Sequence, residues 1–451
     1  MDPTREEVCL AVSAVSERPL GNLELLRARP HFARLWTGYV VSRFGDAVDG
    51  LAILWLVYSV TGSTLLMGAL SAAGMLPSIL LGPFAGVLVD RWPRKRVMMA
   101  GDAGRALLTL AVAAAWATGH LDVWMLFVWV LAASTLEVFA ETARRAVIPA
   151  MVGPGNLIVA QSLAGMGDSL AQLFGYAGAG VVVARLGITA AILLDSATFW
   201  FSLGSVALSR IPELPPRREP LRVGEFFADL REGLSFLGAR KALMQLMVLM
   251  MLVNFALGPV GALLPAFVGG VLEVGPEGLG PVFASLSIGA LVGSLLVGSA
   301  ARGLGELALM RAGLLGIGAA LALLVTAGRV WHVAGLLLAM GLALAPAQAG
   351  VGSLFQRLTP ADKQGRMAGL RGTVALGIMP LSTALAGALA ELVSIPVLFG
   401  AMGAFVMLVS AIILWSPAVR AAAAQPSGPQ EVREAPVEIP ALARESDGSE
   451  R

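Results

Sequence analysis

The sequence predicts an all-α integral membrane protein with twelve transmembrane helices, arranged as two pseudo-symmetric six-helix bundles. Of its 451 residues, 57% are apolar, 14% are charged and 53 are glycine, whereas soluble domains carry about 25% charged residues. The apolar runs are about 18 to 25 residues long, enough to cross a hydrocarbon core of about 30 Å at 1.5 Å per residue. They lack the period-two alternation of a membrane β-barrel strand, so helices are the predicted spanning elements.

Twelve apolar runs follow one another along the chain. Their approximate bounds are 35–60, 64–89, 97–119, 122–143, 157–184, 187–209, 242–270, 278–300, 306–328, 331–355, 367–391 and 394–416. The longest internal polar stretch separates the sixth run from the seventh. The predicted organisation is therefore a cytoplasmic N-terminal tail at 1–33, a first six-helix bundle at 34–210, a linker at 211–241, a second six-helix bundle at 242–418 and a disordered cytoplasmic tail at 419–451.

The linker contains apolar residues at helical spacing among charged ones. These are Phe226, Leu230, Leu234 and Leu237. An amphipathic helix lying on the inner membrane face has this pattern. A linker helix packed under the bundle would show the same pattern of apolar residues, and the sequence leaves both arrangements open.

Basic residues indicate the orientation of the chain. With the N-terminus in the cytoplasm, nearly all Lys and Arg residues fall in inner loops or tails, while Arg43 and Arg105 lie within spans and Arg185 and Arg329 lie outside. The positive-inside rule then places both termini in the cytoplasm. The expected location is the cytoplasmic (inner) membrane of a bacterium, which the chain crosses many times.

Several function classes are disfavoured by composition. The net charge is +2 and the basic residues are spread beside apolar runs, so no nucleic-acid partner is predicted. The single Cys9 and three well-separated histidines predict no metal site and no cofactor. A membrane-embedded enzyme would need a nucleophile and a base close together, and these residues offer neither. No Gly-x-x-x-x-Gly-Lys-Ser/Thr sequence for ATP is present, and the chain is predicted not to be an enzyme.

A tight basic turn between the second and third runs is the most specific motif. It contains Gly86, Asp90, Arg91, Arg94 and Lys95. The turn resembles the signature between spans two and three of the major facilitator superfamily, with Pro93 in place of the second glycine. A tight turn accommodates this change because proline fixes φ. The resemblance extends over about residues 34–418 and implies a transporter that works by alternating access.

The same resemblance implies that the turn is a conformational latch. Gly86 would let neighbouring helices approach each other closely. Asp90, together with the basic residues of the turn, would make contacts that hold one face of the protein closed. Such contacts can be broken and remade when the protein changes conformation.

Further phrases resemble the exporter branch of this superfamily that contains macrolide-efflux and enterobactin-export proteins. They are Phe44-Gly45-Asp46, Ala143-Arg144-Arg145-Ala146, Met379-Pro380-Leu381, and a degenerate exporter motif at Gly167, Gly175, Tyr176, Ala179 and Gly180. The resemblance implies a secondary active, H⁺-coupled exporter of a hydrophobic or amphipathic small molecule, such as an antibiotic, a drug or a siderophore. Because the turn does not encode direction, an importer or a lysophospholipid flippase stays an alternative. The expected partners are a small-molecule substrate, protons and the lipid bilayer, and the expected state is a monomer.

Carboxyl groups inside the predicted spans are candidates for proton coupling, because ionisable groups are costly in a membrane. The candidates are Asp46, Glu137, Asp168 and Asp195. All four lie in the first half, and only Asp46 has a basic neighbour within one helical turn. An unpaired carboxyl in a low-dielectric medium can exchange protons near physiological pH, which an H⁺ antiporter requires.

Other carboxyls have a basic residue three or four positions away, which favours local ion pairs. The pairs expected on this ground are Arg43 with Asp46, Asp102 with Arg105, and Glu141 with Arg144 or Arg145. We expect the Asp102 and Glu141 pairs to be structural. Asp46 lies about twelve residues into its span, where a structural and a functional role are both open.

Substrate binding is assigned to polar residues that lie among methionine and aromatic side chains. The candidates are Gln172, Tyr176, Asn254 and Gln348. Adaptable methionine and aromatic surfaces with a few polar groups suit an amphipathic substrate.

Overall fold

The structure is a computed structural model and describes residues 20–212, 223–300, 304–360 and 363–424. The first 19 residues, part of the linker at 213–222 and the tail from 425 onward lie outside the described residues, and so do the side chains of Phe226 and Leu230. The predictions made for those segments therefore stay predictions.

The described first half is a series of helices joined by short turns. Their bounds are α1 Asn22–Ala28, α2 Pro30–Thr61, α3 Thr64–Val89, α4 Arg94–Ala117, α5 Val123–Val152, α6 Leu157–Leu186 and α7 Ile188–Leu208. Glycines with positive φ end α2, α5 and α6, at Gly62, Gly153 and Gly187. Glycine adopts this left-handed conformation without the steric penalty of a side chain, so these helices can end in tight turns.

The described second half begins with the linker helix and ends beyond the last apolar run. Its helices are α8 Val223–Gly238, α9 Lys241–Ala266, α10 Leu279–Ala300, α11 Glu306–Leu323, α12 Val330–Leu358, α13 Gln364–Gly377, α14 Met379–Leu389, α15 Ile395–Leu414 and α16 Pro417–Ala424. The eleventh predicted run is thus two helices. Pro380 begins α14 together with Met379, and the break follows because proline lacks the N–H that a continuous helix would need.

By length and composition, eleven helices in the described part of the chain can cross a membrane. They are α3 to α7, α9 to α12, the span Gly369–Leu389 that contains most of α13 and all of α14, and α15. Helix α2 has the length of a span, at 32 residues, and carries Arg43, Asp46 and Asp49 in its middle. The all-helical membrane architecture predicted from the sequence is therefore confirmed at this level.

The helix neighbours recur in the two halves. In the first half α2 packs on α6 and α7, α4 packs on α5 and α7, and α3 packs on α5. In the second half α9 packs on α13, α14 and α15, α11 packs on α12 and α15, and α10 packs on α12. Each of these contacts in the first half has a counterpart six apolar runs later, as expected of an internal repeat.

The two halves meet at one end of the molecule. We call the end that holds the start of α2 and the turn at 90–93 the terminal end, and the opposite end the far end. At the far end α3 packs on α14 and α6 packs on α10. A Cβ added at Gly68 would lie 2.6 Å from the Thr383 carbonyl oxygen and 3.0 Å from the Cα of Gly387. Glycine at both positions therefore lets the two backbones touch.

Polar contacts reinforce this closure. The Thr64 hydroxyl donates to the Gly387 carbonyl oxygen at 2.9 Å. Glu391 accepts from the Ser63 hydroxyl at 2.5 Å and from the Leu65 backbone N–H at 3.2 Å, so a carboxylate from the second half caps the N-terminus of α3. The described hydrogen bonds between the two halves lie at this end.

The linker helix α8 packs against the second half. Leu237 is fully buried, the Arg240 guanidinium lies 4.2 Å from the centre of the Phe236 ring, and Lys363 pairs with Glu232 at 3.4 Å. Leu234, by contrast, is 45% exposed. Of the two arrangements left open by the sequence, the packed linker helix describes this part of the chain.

Helices extend into both segments that were predicted to be tails. Helix α1 and the start of α2 occupy 22–33, and Leu25 is fully buried there. The segment predicted to be disordered from 419 begins inside α16, where Val419 is fully buried. Arg357 donates to the Ala422 and Ala423 carbonyl oxygens at 3.2 and 3.4 Å, so a cation satisfies the helix C-terminus, which the composition of the tail did not reveal.

Candidate functional site

Arg43 on α2 contacts carboxylates from three helices. Its Nη1 atom lies 2.8 Å from Glu137 Oε1 on α5 and 3.4 Å from Asp46 Oδ2, and its Nε atom lies 3.3 Å from Asp168 Oδ1 on α6. Tyr39, one turn earlier on α2, donates its hydroxyl to the same Asp168 oxygen at 2.6 Å. Glu137 and Asp168, which have no cation within one turn on their own helices, thus obtain one from α2.

Arg105 on α4 completes the ion cluster. Its Nη2 atom lies 2.5 Å from Asp46 Oδ1 and 3.8 Å from Glu137 Oε2, and its guanidinium lies 4.2 Å from the centre of the Phe199 ring. The predicted Asp102–Arg105 pair is therefore wrong. Asp102 accepts instead from the Ser202 hydroxyl on α7 at 2.7 Å. Arg105 contacts two neighbouring helices because Asp46 on α2 and Glu137 on α5 together compete successfully with the one carboxylate on its own helix.

The predicted pairs of Glu141 do form. Its carboxylate lies 2.9 Å from Arg144 Nη1 and 2.7 Å from Arg145 Nε. The Arg145 side chain is 78% exposed. An exposed pair such as Glu141–Arg145 contributes up to about 1 kcal/mol, whereas the Arg144 side chain is 11% exposed and its pair is largely buried.

Two carboxyls are buried beside the ion cluster without an arginine contact. Asp195 is 2% exposed and meets the Thr198 hydroxyl at 3.4 Å, and Asp49 is 3% exposed. Asp49 Oδ1 has no hydrogen-bond partner among the described residues. A Cβ at Gly45 would lie 2.5 Å from Asp195 Oδ1, so this glycine brings α2 close enough for α7 to present Asp195 to the cluster.

These groups line one cavity of about 180 Å³ in the first half, together with Thr109, Trp129 and Phe199. Its wall contains four carboxyls, of Asp46, Asp49, Glu137 and Asp195, and two guanidiniums, of Arg43 and Arg105. If all were ionised, two negative charges would have no counter-ion, which is strongly unfavourable in a low-dielectric medium. The arrangement can therefore bind protons. Glu137, whose side chain is 39% exposed, is more exposed than Asp46, Asp49 and Asp195.

The basic turn lies at the terminal end. Asp90 pairs with Arg94 at 2.6 Å, and Arg91 is exposed beside them. Lys95 donates to the Ala207 and Ser209 carbonyl oxygens at 2.7 and 2.9 Å, which ties α4 to the end of α7 in the same half.

Gly86 departs from the expected role. A Cβ added to it would meet nothing within 4 Å, so no helix approaches it closely in this conformation. The described hydrogen bonds between the halves lie at the opposite end of the molecule, so Gly86 takes part in no close contact between helices in this conformation. The latch assignment of the turn stays a prediction about a different conformation.

The second half contains a larger cavity, of about 420 Å³, between α9, α11, α12 and α13. Asn254 and Gln348, two of the predicted pocket residues, both line it, and Asn254 Nδ2 donates to the Ala375 carbonyl oxygen at 3.0 Å. The other two lie outside it. Tyr176 packs on Phe283 where α6 meets α10, with ring centres 5.1 Å apart, and Gln172 is exposed on α6.

Sequence reasoning missed two residues at these sites. Asp49 was passed over although it lies three residues after Asp46 on the same helical face. Arg371 lines the cavity of the second half, seven residues after the start of α13. Its position inside the eleventh apolar run could have identified it, because a charged residue within a span is a functional candidate.

Comparison with known proteins assigns the family. Residues 25–446 match the family described as transmembrane secretion effectors. The chain belongs to this family. It is a transporter of the major facilitator superfamily, and both the resemblance to that superfamily and the prediction that the chain is not an enzyme are confirmed.

Similar proteins in bacteria are efflux proteins by name. Macrolide efflux protein A of Streptococcus pyogenes is 28% identical over 373 residues, which cover 81% of this chain and 90% of that protein. Multidrug efflux pump Tap of Mycolicibacterium fortuitum is 25% identical over 382 residues, 83% and 93% of the two chains. Enterobactin exporter EntS of Shigella boydii serotype 4 is 28% identical over 289 residues, 62% and 66%.

Solved structures share the fold at low sequence identity. The nucleoside transporter NupG superposes with a TM-score of 0.71 at 10% identity, covering 86% of this chain and all of that one. A bacterial homologue of the iron transporter ferroportin, in an inward-facing state, gives 0.64 at 16% identity over 88% and 99%. These similarities establish the fold of a major facilitator transporter.

Proposed function

We propose that the chain is an H⁺-driven exporter that moves a hydrophobic or amphipathic small molecule out of a bacterial cytoplasm by alternating access. It works as a monomer of two six-helix bundles. Helix α2, the first span along the chain, brings the number of membrane spans to twelve. The similarity to exporters of macrolides, drugs and enterobactin supports export. The observation that carries proton coupling is the cavity wall in which four carboxyls face two guanidiniums.

The orientation follows from the distribution of basic residues. The terminal end carries the basic turn and faces the cytoplasm, with both termini, because cytoplasmic loops are rich in Lys and Arg. The far end then faces outward. With its two halves joined at the far end, this conformation admits substrate from the cytoplasm.

Asp195 and Asp49 are the proposed proton carriers. Asp46 and Glu137 hold the two arginines and stay ionised, because each lies against a guanidinium and separating the buried Arg105–Asp46 pair is costly. Asp195 and Asp49 have no arginine contact and take up protons when the cavity opens to the more acidic side. Neutralising them removes the excess negative charge and permits the bundle to close around the cluster.

Helix α2 connects this chemistry to the contact between the halves. It carries Arg43, Asp46 and Asp49 in its middle, and Tyr58 near its far end packs against Gly270 after α9 of the second half. A change of charge on α2 can therefore alter the closure of the far end through one rigid helix.

Efflux of lipophilic dyes tests this proposal. Cells that express the protein are loaded with dyes of negative, zero and positive charge, and export is followed with and without a protonophore. We expect protonophore-sensitive export of at least one dye, and we expect Asp195→Asn to reduce it to background because the variant cannot exchange the proton. Asp122→Asn, in an exposed loop, is the matched control and should export normally.

Three outcomes contradict the proposal. Export that proceeds unchanged in Asp195→Asn would remove this carboxyl from the coupling path. Accumulation of dye inside the cells, in place of export, would support the importer, and movement of lysophospholipid alone would support the flippase.

A further inference from the structure

Arg371 is an exposed charged residue near the start of a membrane span. It lies about 10 Å along α13 from the start of that helix, at a rise of 1.5 Å per residue. The side chain has no ion pair or hydrogen bond with any residue in the described part of the chain. The residue is exposed at the cavity and lies two residues into the span Gly369–Leu389, so its guanidinium is available to a partner from outside the protein.

The surroundings of Arg371 define what such a partner must be. The cavity of about 420 Å³ that it lines is apolar over most of its wall, with Leu249, Val253 and Ile317 among the lining residues. Asn254 and Gln348 add two neutral amides. No carboxyl is among the described lining residues, so the wall carries one positive charge and no negative one.

We infer that this cavity is the substrate site and that the substrate is an amphipathic organic anion, whose carboxylate or sulfonate pairs with Arg371 while its apolar body fills the cavity. The inference rests on the proposed exporter function and specifies its substrate class. A planar guanidinium offers two parallel N–H groups to an anionic oxygen pair, which makes Arg371 a selective partner for such groups. A cationic molecule of the same size would be repelled by the same charge.

The depths of the polar groups fit this orientation. Arg371 lies about 10 Å from the terminal end, whereas Asn254 lies thirteen residues into α9, or about 20 Å. The anionic group of the substrate then stays near the cytoplasmic mouth and the apolar body reaches deeper. The site is separate from the acidic cavity of the first half, so proton and substrate bind to different bundles.

A matched pair of fluorescent probes tests the inference on the purified full chain in detergent. 1-Anilinonaphthalene-8-sulfonate and N-phenyl-1-naphthylamine share their ring system and differ by the sulfonate. We expect the wild type to bind the sulfonate about tenfold more tightly, since a charge-assisted hydrogen bond has about that effect. Arg371→Gln should remove this preference and leave the affinity for the neutral probe within about twofold, because only the charged contact is lost.

Further variants keep the test independent of folding. Arg371→Lys retains the charge and should keep part of the preference, and Gln348→Glu places a negative charge on the wall and should weaken sulfonate binding. Arg329→Gln makes the same change of charge at an exposed position and should bind both probes as the wild type does. Equal affinity for the two probes in the wild type, or equal loss of both in Arg371→Gln, would overturn the inference.

The outcome is distinguishable from that of the exporter proposal, because probe binding is measured without a proton gradient. Protonophore-sensitive dye export combined with no preference for the sulfonate would reject the anionic substrate alone. Sulfonate binding that depends on Arg371, combined with no export of any dye, would reject the exporter and leave the anion site in place.

Discussion

Gly68→Leu is expected to abolish transport by preventing closure of the far end. At Gly68 an added Cβ already lies 2.6 Å from a backbone carbonyl oxygen, and backbone cannot move aside as a flexible side chain can. Overpacking of this kind costs about 1–3 kcal/mol, and 3 kcal/mol corresponds to about a hundredfold shift in a two-state equilibrium. We therefore expect the transport rate to fall by about two orders of magnitude while the protein still reaches the membrane.

The mechanism of this loss can be measured directly. Spin labels at Val60→Cys and Leu392→Cys, both exposed at the far end, report the separation of the halves in a Cys9→Ser background. The distance distribution should shift to longer values in Gly68→Leu. Gly82→Leu, on the same helix but with open space around its Cβ, is the matched control and should leave rate and distance unchanged. Normal transport by Gly68→Leu would refute the assignment of this contact as the outer closure.

Arg105→Gln is expected to destabilise the first half more than any exposed ion-pair variant. The guanidinium is 12% exposed and lies beside Asp46 and Glu137, so its removal leaves Arg43 as the one described arginine in contact with both carboxylates, and the buried Asp46 keeps only the longer of its two arginine contacts. Breaking a buried pair in this way costs about 3–5 kcal/mol. The apparent free energy of unfolding, measured by titration with sodium dodecyl sulfate, should fall by about that amount.

A second substitution separates charge from packing in this measurement. Adding Asp46→Asn to Arg105→Gln removes the uncompensated charge and should restore much of the lost stability. Arg145→Gln breaks a pair of similar length whose arginine is 78% exposed, and it should cost less than about 1 kcal/mol. If Arg105→Gln costs no more than Arg145→Gln, the ion cluster is not the stabilising centre that its geometry indicates.

The membrane itself explains why most of the helices could be predicted. Every backbone N–H and C=O in the hydrocarbon region must be bonded internally, so an apolar run of sufficient length has few alternatives to a helix. The local sequence decides exceptions such as the break between α13 and α14, where Pro380 interrupts what reads as one run. Helix α16 was missed because a contact with Arg357, distant in sequence, helps to hold it.

The ion cluster could be predicted only in part, because its contacts run between helices. The acidic candidates were visible as carboxyls in apolar runs, yet spacing along one helix assigned Arg105 to Asp102, whereas its partner Asp46 lies 59 residues away. Asp168 and Glu137 seemed to lack cations for the same reason. Spacing along the helix also did not identify Asp49 as a candidate, because its burial depends on the packing of α2 against other helices.

The measurement that tests the central claim most directly is proton movement coupled to substrate in reconstituted vesicles with a pH-sensitive dye inside. In the wild type, adding an exported dye should drive proton flow in the opposite direction. The Asp49→Asn, Asp195→Asn double variant should exchange dye for dye across the membrane at the wild-type rate while moving no protons. Proton flow at the wild-type ratio in the double variant, or its absence in the wild type during transport, would contradict the assignment of these carboxyls as the coupling site.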